Sequence, residues 1–221
     1  MPTGIQSPSG GPPSLLAIIG SVTPPGRLRR AVSEALDRRA AALGHRPGLI
    51  DLGEQHVSFA SGAPLETLGD DSAAVVAAIG DADSVLLATP VYRGTLSGSL
   101  KNLLDLVPVE GLQGKTVGIV AMGATDHHSL GADWHLRDVL AWFGAVTAPT
   151  SVYLTSRDFE AGVPSQRAAT ALDELLNGLA ALASALRGLE GRLGPASLAA
   201  QSVRTRPEEA PGRDSSSSQS K

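Results

Sequence analysis

Apolar residues in this chain come in two kinds of run, and the two alternate. Leu15–Ile19, Ser84–Ala88 and Thr116–Ala121 are short and nearly unbroken, as expected of strands buried on both faces. Leu49–Leu52 is a shorter second strand. Val146–Leu154 holds a fifth, interrupted by Pro149, which has no N–H for a ladder. Between these runs apolar positions recur at helical spacing over Arg27–Leu43, Asp71–Ile79, Ser97–Leu106, Asp133–Phe143 and Ser165–Leu189. In the third of these, Leu100, Leu103, Leu104 and Val107 share one face. Five strand–helix alternations predict a parallel α/β sheet covered on both faces, because crossovers between parallel strands are right-handed. The expected strand order is 2-1-3-4-5. Segment 53–70 shows no element, and there is no internal repeat.

The ends depart from this pattern. Residues 1–13 and 190–221 are rich in Pro, Gly, Ser and charge, too poor in apolar groups to offset ordering entropy, so both are expected to be disordered tails. Residues 14–189 form the expected folded unit.

Composition narrows the chemistry. With 42% apolar residues in 221, the chain can build a sizeable core. A net charge of -4 and seven scattered aromatics argue against a nucleic-acid partner, which needs a basic face or a stacking platform. There is no cysteine, which excludes disulfides, thiolate metal sites and thiol catalysis and fits a reducing cytoplasm. Met1–Pro13 lacks Lys and Arg, and Leu15–Ile19 is too short for a signal core or membrane span. A soluble, cytoplasmic protein with no membrane partner is expected.

Three strand-to-helix loops carry the candidate chemistry. The first is Gly20-Ser21-Val22-Thr23-Pro24-Pro25-Gly26-Arg27, whose free N–H groups at a helix N-terminus make an anion site. Ser21 and Thr23 add hydroxyls and Arg27 a cation. Neither the Rossmann glycine spacing nor a Walker pattern is present. The second, Thr89-Pro90-Val91-Tyr92, ends an apolar strand on a proline, which is expected to force the chain out of the sheet. The third is Gly123-Ala124-Thr125. All three lie at the C-terminal edge of the sheet, where open α/β folds bind ligands. Asp126, His127, His128, Asp133 and His135 lack metal-binding spacing, so no metal is expected. The histidines are read as loop hydrogen-bond partners or an oligomer contact. Ser97 reads as a helix start and Lys101 and Asp105 as an i,i+4 ion pair.

These motifs resemble those of the NAD(P)H-dependent FMN reductases, a flavodoxin-like family. The resemblance runs over about residues 15–160. It is most specific from Thr89-Pro90-Val91-Tyr92 through Ser97-Gly98-x-Leu100-Lys101-x-Leu103-Leu104-Asp105. Leu130-x-x-Asp133-Trp134-x-Leu136-Arg137-x-Val139-Leu140 is most similar to the branch serving alkanesulfonate monooxygenases. By resemblance, the loop of Gly20, Ser21, Thr23, Gly26 and Arg27 grips the FMN phosphate. Thr89, Pro90, Val91 and Tyr92 line the flavin ring and ribityl chain, and Gly123, Ala124 and Thr125 meet its pyrimidine side. The sequence departs at Gly26 and Leu28, where the family offers hydroxyls, and at Ala124, where it has glycine. Exchangeable FMN is the implied consequence.

The implied activity is hydride transfer from NADPH or NADH to FMN with no catalytic side chain, the reduced flavin passing to a partner monooxygenase. Arg93 and Arg27 are candidates for the nucleotide phosphate. Family members are oligomers, so a homodimer or homotetramer is implied. Trp134 is read either as part of that interface or as a core aromatic. Other readings stay open: a flavin-dependent quinone or azo reductase, a flavodoxin-type electron carrier, or a flavin-free binding protein.

Overall fold

The computed structural model describes residues 12–22, 26–189 and 193–194. The expected tails therefore lie almost wholly outside the described residues, as does Thr23. Five parallel positions form the sheet in the order β2-β1-β3-β4-β5, as the alternation predicts. They are β1 (Ser14–Ile19), β2 (Arg46–Asp51), β3 (Ser84–Pro90), β4 (Thr116–Met122) and β5 (Val146–Thr147).

Side chains alternate across β1, so Leu15, Ala17 and Ile19 join one core while Leu16 and Ile18 join the other. The first core is closed by α1 (Arg27–Arg39) and α5 (Gln166–Leu186), through Ala31, Val32, Leu172 and Leu176. The second is closed by α2 (Ser72–Asp81), α3 (Gly98–Leu106) and α4 (Ser129–Phe143), through Ile79, Leu100, Leu103 and Leu136.

Three departures from the sequence reading have local causes. The fifth strand is split: β5 is followed by β6 (Val152–Leu154), and both pair with β4. The segment around Pro149 bulges out between them, shifting the register by two residues. Strand β3 continues to Pro90, opposite Met122, past the predicted end at Ala88. The Val91 N–H bonds to the Met122 carbonyl at 2.8 Å, so the missing Pro90 N–H faces the β1 side, where β1 has already ended opposite Ala88. The proline removes no ladder bond. Finally, β7 (Phe159–Glu160) and β8 (Val163–Pro164) form a small hairpin that the sequence reading did not anticipate.

Segment 53–70 holds one 3-10 turn, Leu65–Thr67, and is tied down by side chains. Asn102 on α3 accepts from Ala60 N–H at 2.8 Å and donates to the Ser58 carbonyl at 3.0 Å. The hydroxyls of Ser58 and Ser72, with their N–H groups, hold the Asp70 carboxyl well below the usual carboxylate range. Among the described residues no helix is long and apolar enough to cross a membrane.

Candidate functional site

The loops after β1, β3 and β4 leave the same edge of the sheet side by side, and each is fixed by a different device. In the first, Gly20 is clamped. Its N–H bonds to the Ala88 carbonyl at 2.7 Å, and its carbonyl accepts from the hydroxyls of Ser97 and of Ser99, the latter at 3.1 Å. A Cβ at position 20 would lie 2.7 Å from Leu100 Cβ, so glycine is what lets α3 pack this close. Gly26 then caps α1 in an extended conformation without a side-chain cap bond.

The first turn of α1 contains no acid and instead begins Arg27, Leu28, Arg29, Arg30. Cations at the positive end of a helix are unfavourable by some tenths of a kcal/mol each unless an anion is present. Leu28 is buried in the core that holds Ala31 and Val32. The Arg27 guanidinium lies 5.4 Å from the centre of the Phe159 ring.

In the second loop the side chains of Thr89 and Ser97 lock strand to helix. Thr89 is fully buried, and its hydroxyl accepts the Ser97 N–H at 2.9 Å while donating to the Pro90 carbonyl at 2.9 Å. Ser97 caps α3 by accepting from Leu100 N–H at 3.2 Å, the helix start read from sequence. Thr89→Val leaves the buried Ser97 N–H without its partner. The expected loss is about 2 kcal/mol, a fall in Tm of roughly 4–8 °C, whereas Thr89→Ser is expected to melt near the wild type.

Tyr92–Thr95 is a tight turn closed by paired backbone bonds of 3.0 and 3.1 Å. Arg93 and Gly94 both have positive φ, 53° and 79°, as a type I′ turn requires. Its tip is braced by α4. Thr95 Oγ1 bonds His135 Nδ1 at 2.8 Å, and the Gly94 carbonyl packs where a side chain on Gly131 would stand. The Lys101–Asp105 ion pair forms at 2.5 Å.

The third loop is set by Tyr153 on β6. Its hydroxyl donates to the Thr125 carbonyl at 2.6 Å and occupies the space a Cβ on Gly123 would need. Burial, and then the Asp126 charge, push the Tyr153 hydroxyl above its ordinary pKa, so it remains a donor at neutral pH. Ala124 is not among the residues with positive φ, so alanine fits this turn without strain. Asp126 pairs with Arg157 at 2.9 Å and Asp133 with Arg137 at 2.8 Å. Among the described residues no three His, Cys, Asp or Glu are grouped to hold a metal ion.

The first two loops enclose a cavity of about 240 Å³ bounded by Ser21, Gly26, Arg27, Pro90 and Tyr92, with Met122 at its edge. Five sequence-predicted residues thus meet at one hollow. Thr89 and Gly20 lie buried behind it, Val91 holds the strand end, and Gly123–Thr125 continue beyond Met122. The sequence reading missed Arg29 and Asp51, which also line the cavity. An acidic residue ending the second strand at the ligand edge was the available signal for Asp51.

The model of the family described as NADPH-dependent FMN reductase matches residues 13–160. A NADH-dependent FMN reductase, SfnF, from Pseudomonas fluorescens is 32% identical over 148 residues, covering 67% of this chain and 79% of that protein. The chain belongs to the NADPH-dependent FMN reductase family. An NAD(P)H-dependent FAD/FMN reductase from Geobacillus thermodenitrificans is 34% identical over 111 residues, 50% of this chain and 60% of that relative's length. The apo crystal structure of an NADH:FMN oxidoreductase, EMOB, superposes with a TM-score of 0.65 at 26% identity. It covers 79% of this chain and 90% of the other. FMN and a nicotinamide nucleotide are the cofactor pair of this family of oxidoreductases. The FMN reductase match stops short of α5, although α5 completes one core.

The residues present fit a phosphorylated flavin. The cavity is lined by a hydroxyl and an arginine-rich helix N-terminus together with the apolar surface of Pro90, Tyr92 and Met122.

Proposed function

We propose that this chain is an NAD(P)H-dependent FMN reductase that supplies reduced flavin to a flavin-dependent monooxygenase. The observation that carries the reading is the meeting of the acid-free N-terminus of α1 with the Pro90–Tyr92 wall on one cavity. When bound, FMN accepts the hydride of the nicotinamide. The chain binds and orients. Ser21, Gly26 and Arg27 hold the phosphate, and the turn that Gly123 begins presents backbone donors beyond Gly123 to the ring edge that gains negative charge. No side chain acts as acid or base. Arg93, held exposed at the tip of its turn, is placed for the nucleotide phosphate. The absence of cysteine supports a cytoplasmic setting.

The SfnF relatives are named NADH-dependent FMN reductases, and supply of reduced flavin to a partner requires flavin that exchanges. Titration of the purified protein with FMN is expected to give a micromolar Kd, with the flavin removable by dialysis. Stoichiometric FMN surviving dialysis contradicts the supply reading.

A homodimer or homotetramer built through α4 fits the surface. Trp134 is 63% exposed, which excludes the core reading of this residue, and Leu130 and Trp142 are also exposed. The three lie along one stripe of α4, the kind of aromatic-rich face that subunit contacts cover.

A further inference from the structure

Arg29 stands at the third position of α1 and lines the same cavity as Ser21, Gly26 and Arg27. An arginine there is positioned to fork onto a phosphate, yet its guanidinium is already engaged. Both terminal nitrogens face the Glu54 carboxylate, Nη1 to Oε1 and Nη2 to Oε2 at 3.1 Å. Its Nε lies 3.4 Å from Asp51 Oδ2.

The two acids are held in place by the turn that follows β2. The Gly53 N–H donates to Asp51 Oδ1 at 2.9 Å, and the Glu54 N–H to the Asp51 carbonyl at 2.9 Å. Asp51 is 3% exposed and faces the cavity. Two carboxylates thus meet one guanidinium beside the anion site, and the cluster is net negative.

We propose that Asp51 and Glu54 withhold Arg29 from the flavin phosphate and so set how loosely the chain holds FMN. The inference rests on the phosphate lying at the N-terminus of α1. A carboxylate and a phosphate compete for the same planar fork of donors, so Arg29 cannot serve both fully. The buried Asp51 charge adds a repulsion that salt screens poorly. FMN is the ligand affected, because riboflavin carries no phosphate to compete. Glu54, the more exposed acid, is the partner that can be altered without disturbing the core.

The test is a fluorescence titration of FMN and of riboflavin against the wild type, Glu54→Gln, Arg29→Gln and the double variant, with melting curves to verify folding. The wild type is expected to prefer FMN. Glu54→Gln is expected to tighten FMN about tenfold, the lower end of what one charge-assisted bond regained supplies, with riboflavin unchanged. That gain is expected to vanish in the Arg29→Gln background, which ties it to Arg29. An FMN affinity unchanged or weakened in Glu54→Gln overturns the proposal, as does equal tightening of both flavins. A wild type that does not distinguish FMN from riboflavin overturns the phosphate-site reading itself, and this inference with it.

Discussion

Pro90→Asp is expected to weaken FMN binding at least about a hundredfold while leaving the fold intact. Pro90 is the last residue of β3 and lines the same cavity as Ser21 and Arg27. An aspartate there puts a carboxylate against the flavin ring, and an unpaired charge desolvated in this way costs several kcal/mol. About 2.7 kcal/mol already corresponds to a hundredfold. The fold is expected to tolerate the change, because the position faces the side where β1 has ended, so the new N–H meets no strand. Flavin fluorescence titration reads the affinity, and circular dichroism with a melting curve reads the fold. Pro90→Ala, which adds no charge, is expected to stay within a few-fold of the wild type. Unchanged affinity in Pro90→Asp would remove Thr89–Tyr92 from the site.

Gly123→Ala is expected to lower FMN affinity about tenfold. A methyl group at 123 claims the space of the Tyr153 hydroxyl and comes within 2.9 Å of Tyr153 Cζ. The tyrosine must move, and in moving it gives up the Thr125 carbonyl that it holds at 2.6 Å. The whole Gly123–Thr125 turn then loses its register against the β6 end, where Gly123 N–H bonds the Leu154 carbonyl at 3.0 Å. Misplacing preorganised donors by an ångström is enough for losses of this order. The same titration measures it, and a second substitution checks the cause. Tyr153→Phe gives up the same bond to the Thr125 carbonyl without adding a methyl group, so it is expected to weaken FMN by a similar factor. A Gly123→Ala protein that binds FMN as the wild type does would show that this turn does not contact the flavin.

How much of this was legible in the sequence depends on where each signal is stored. Strands β1, β3 and β4 are buried on both faces, so their residues are apolar without interruption and the runs stand out. Strand β2 lies at the sheet edge, and its first residues, Arg46 and Pro47, are exposed, so only its apolar end was visible. Helix α4 begins at Ser129, earlier than the predicted Asp133, because its first turn packs Gly131 against Gly94 and exposes Leu130, leaving no apolar period to read. The β7–β8 hairpin turns on Ala161 and Gly162 with positive φ, and alanine is a poor advertisement for such a turn.

The site divides in the same way. Gly20, Ser21, Gly26, Arg27, Pro90 and Tyr92 sit in or at the ends of loops whose sequence alone marks them. An acid ending the second strand hinted at Asp51, but its meeting with Arg29 depends on the approach of α1 to the end of β2, a contact across 22 residues that no local pattern encodes. The role of Thr89 was equally hidden, since a buried hydroxyl that ties Ser97 to Pro90 looks like a ligand-facing one until the fold is known.

The most direct test of the account is oxidation of NADPH and NADH by the purified protein under air, with and without added FMN. The predicted result is turnover that requires FMN and rises with its concentration through the micromolar range, with one nucleotide favoured. Nucleotide oxidation that ignores added FMN, or its absence in a protein that binds FMN, would contradict the assignment of this chain as an exchanging flavin reductase.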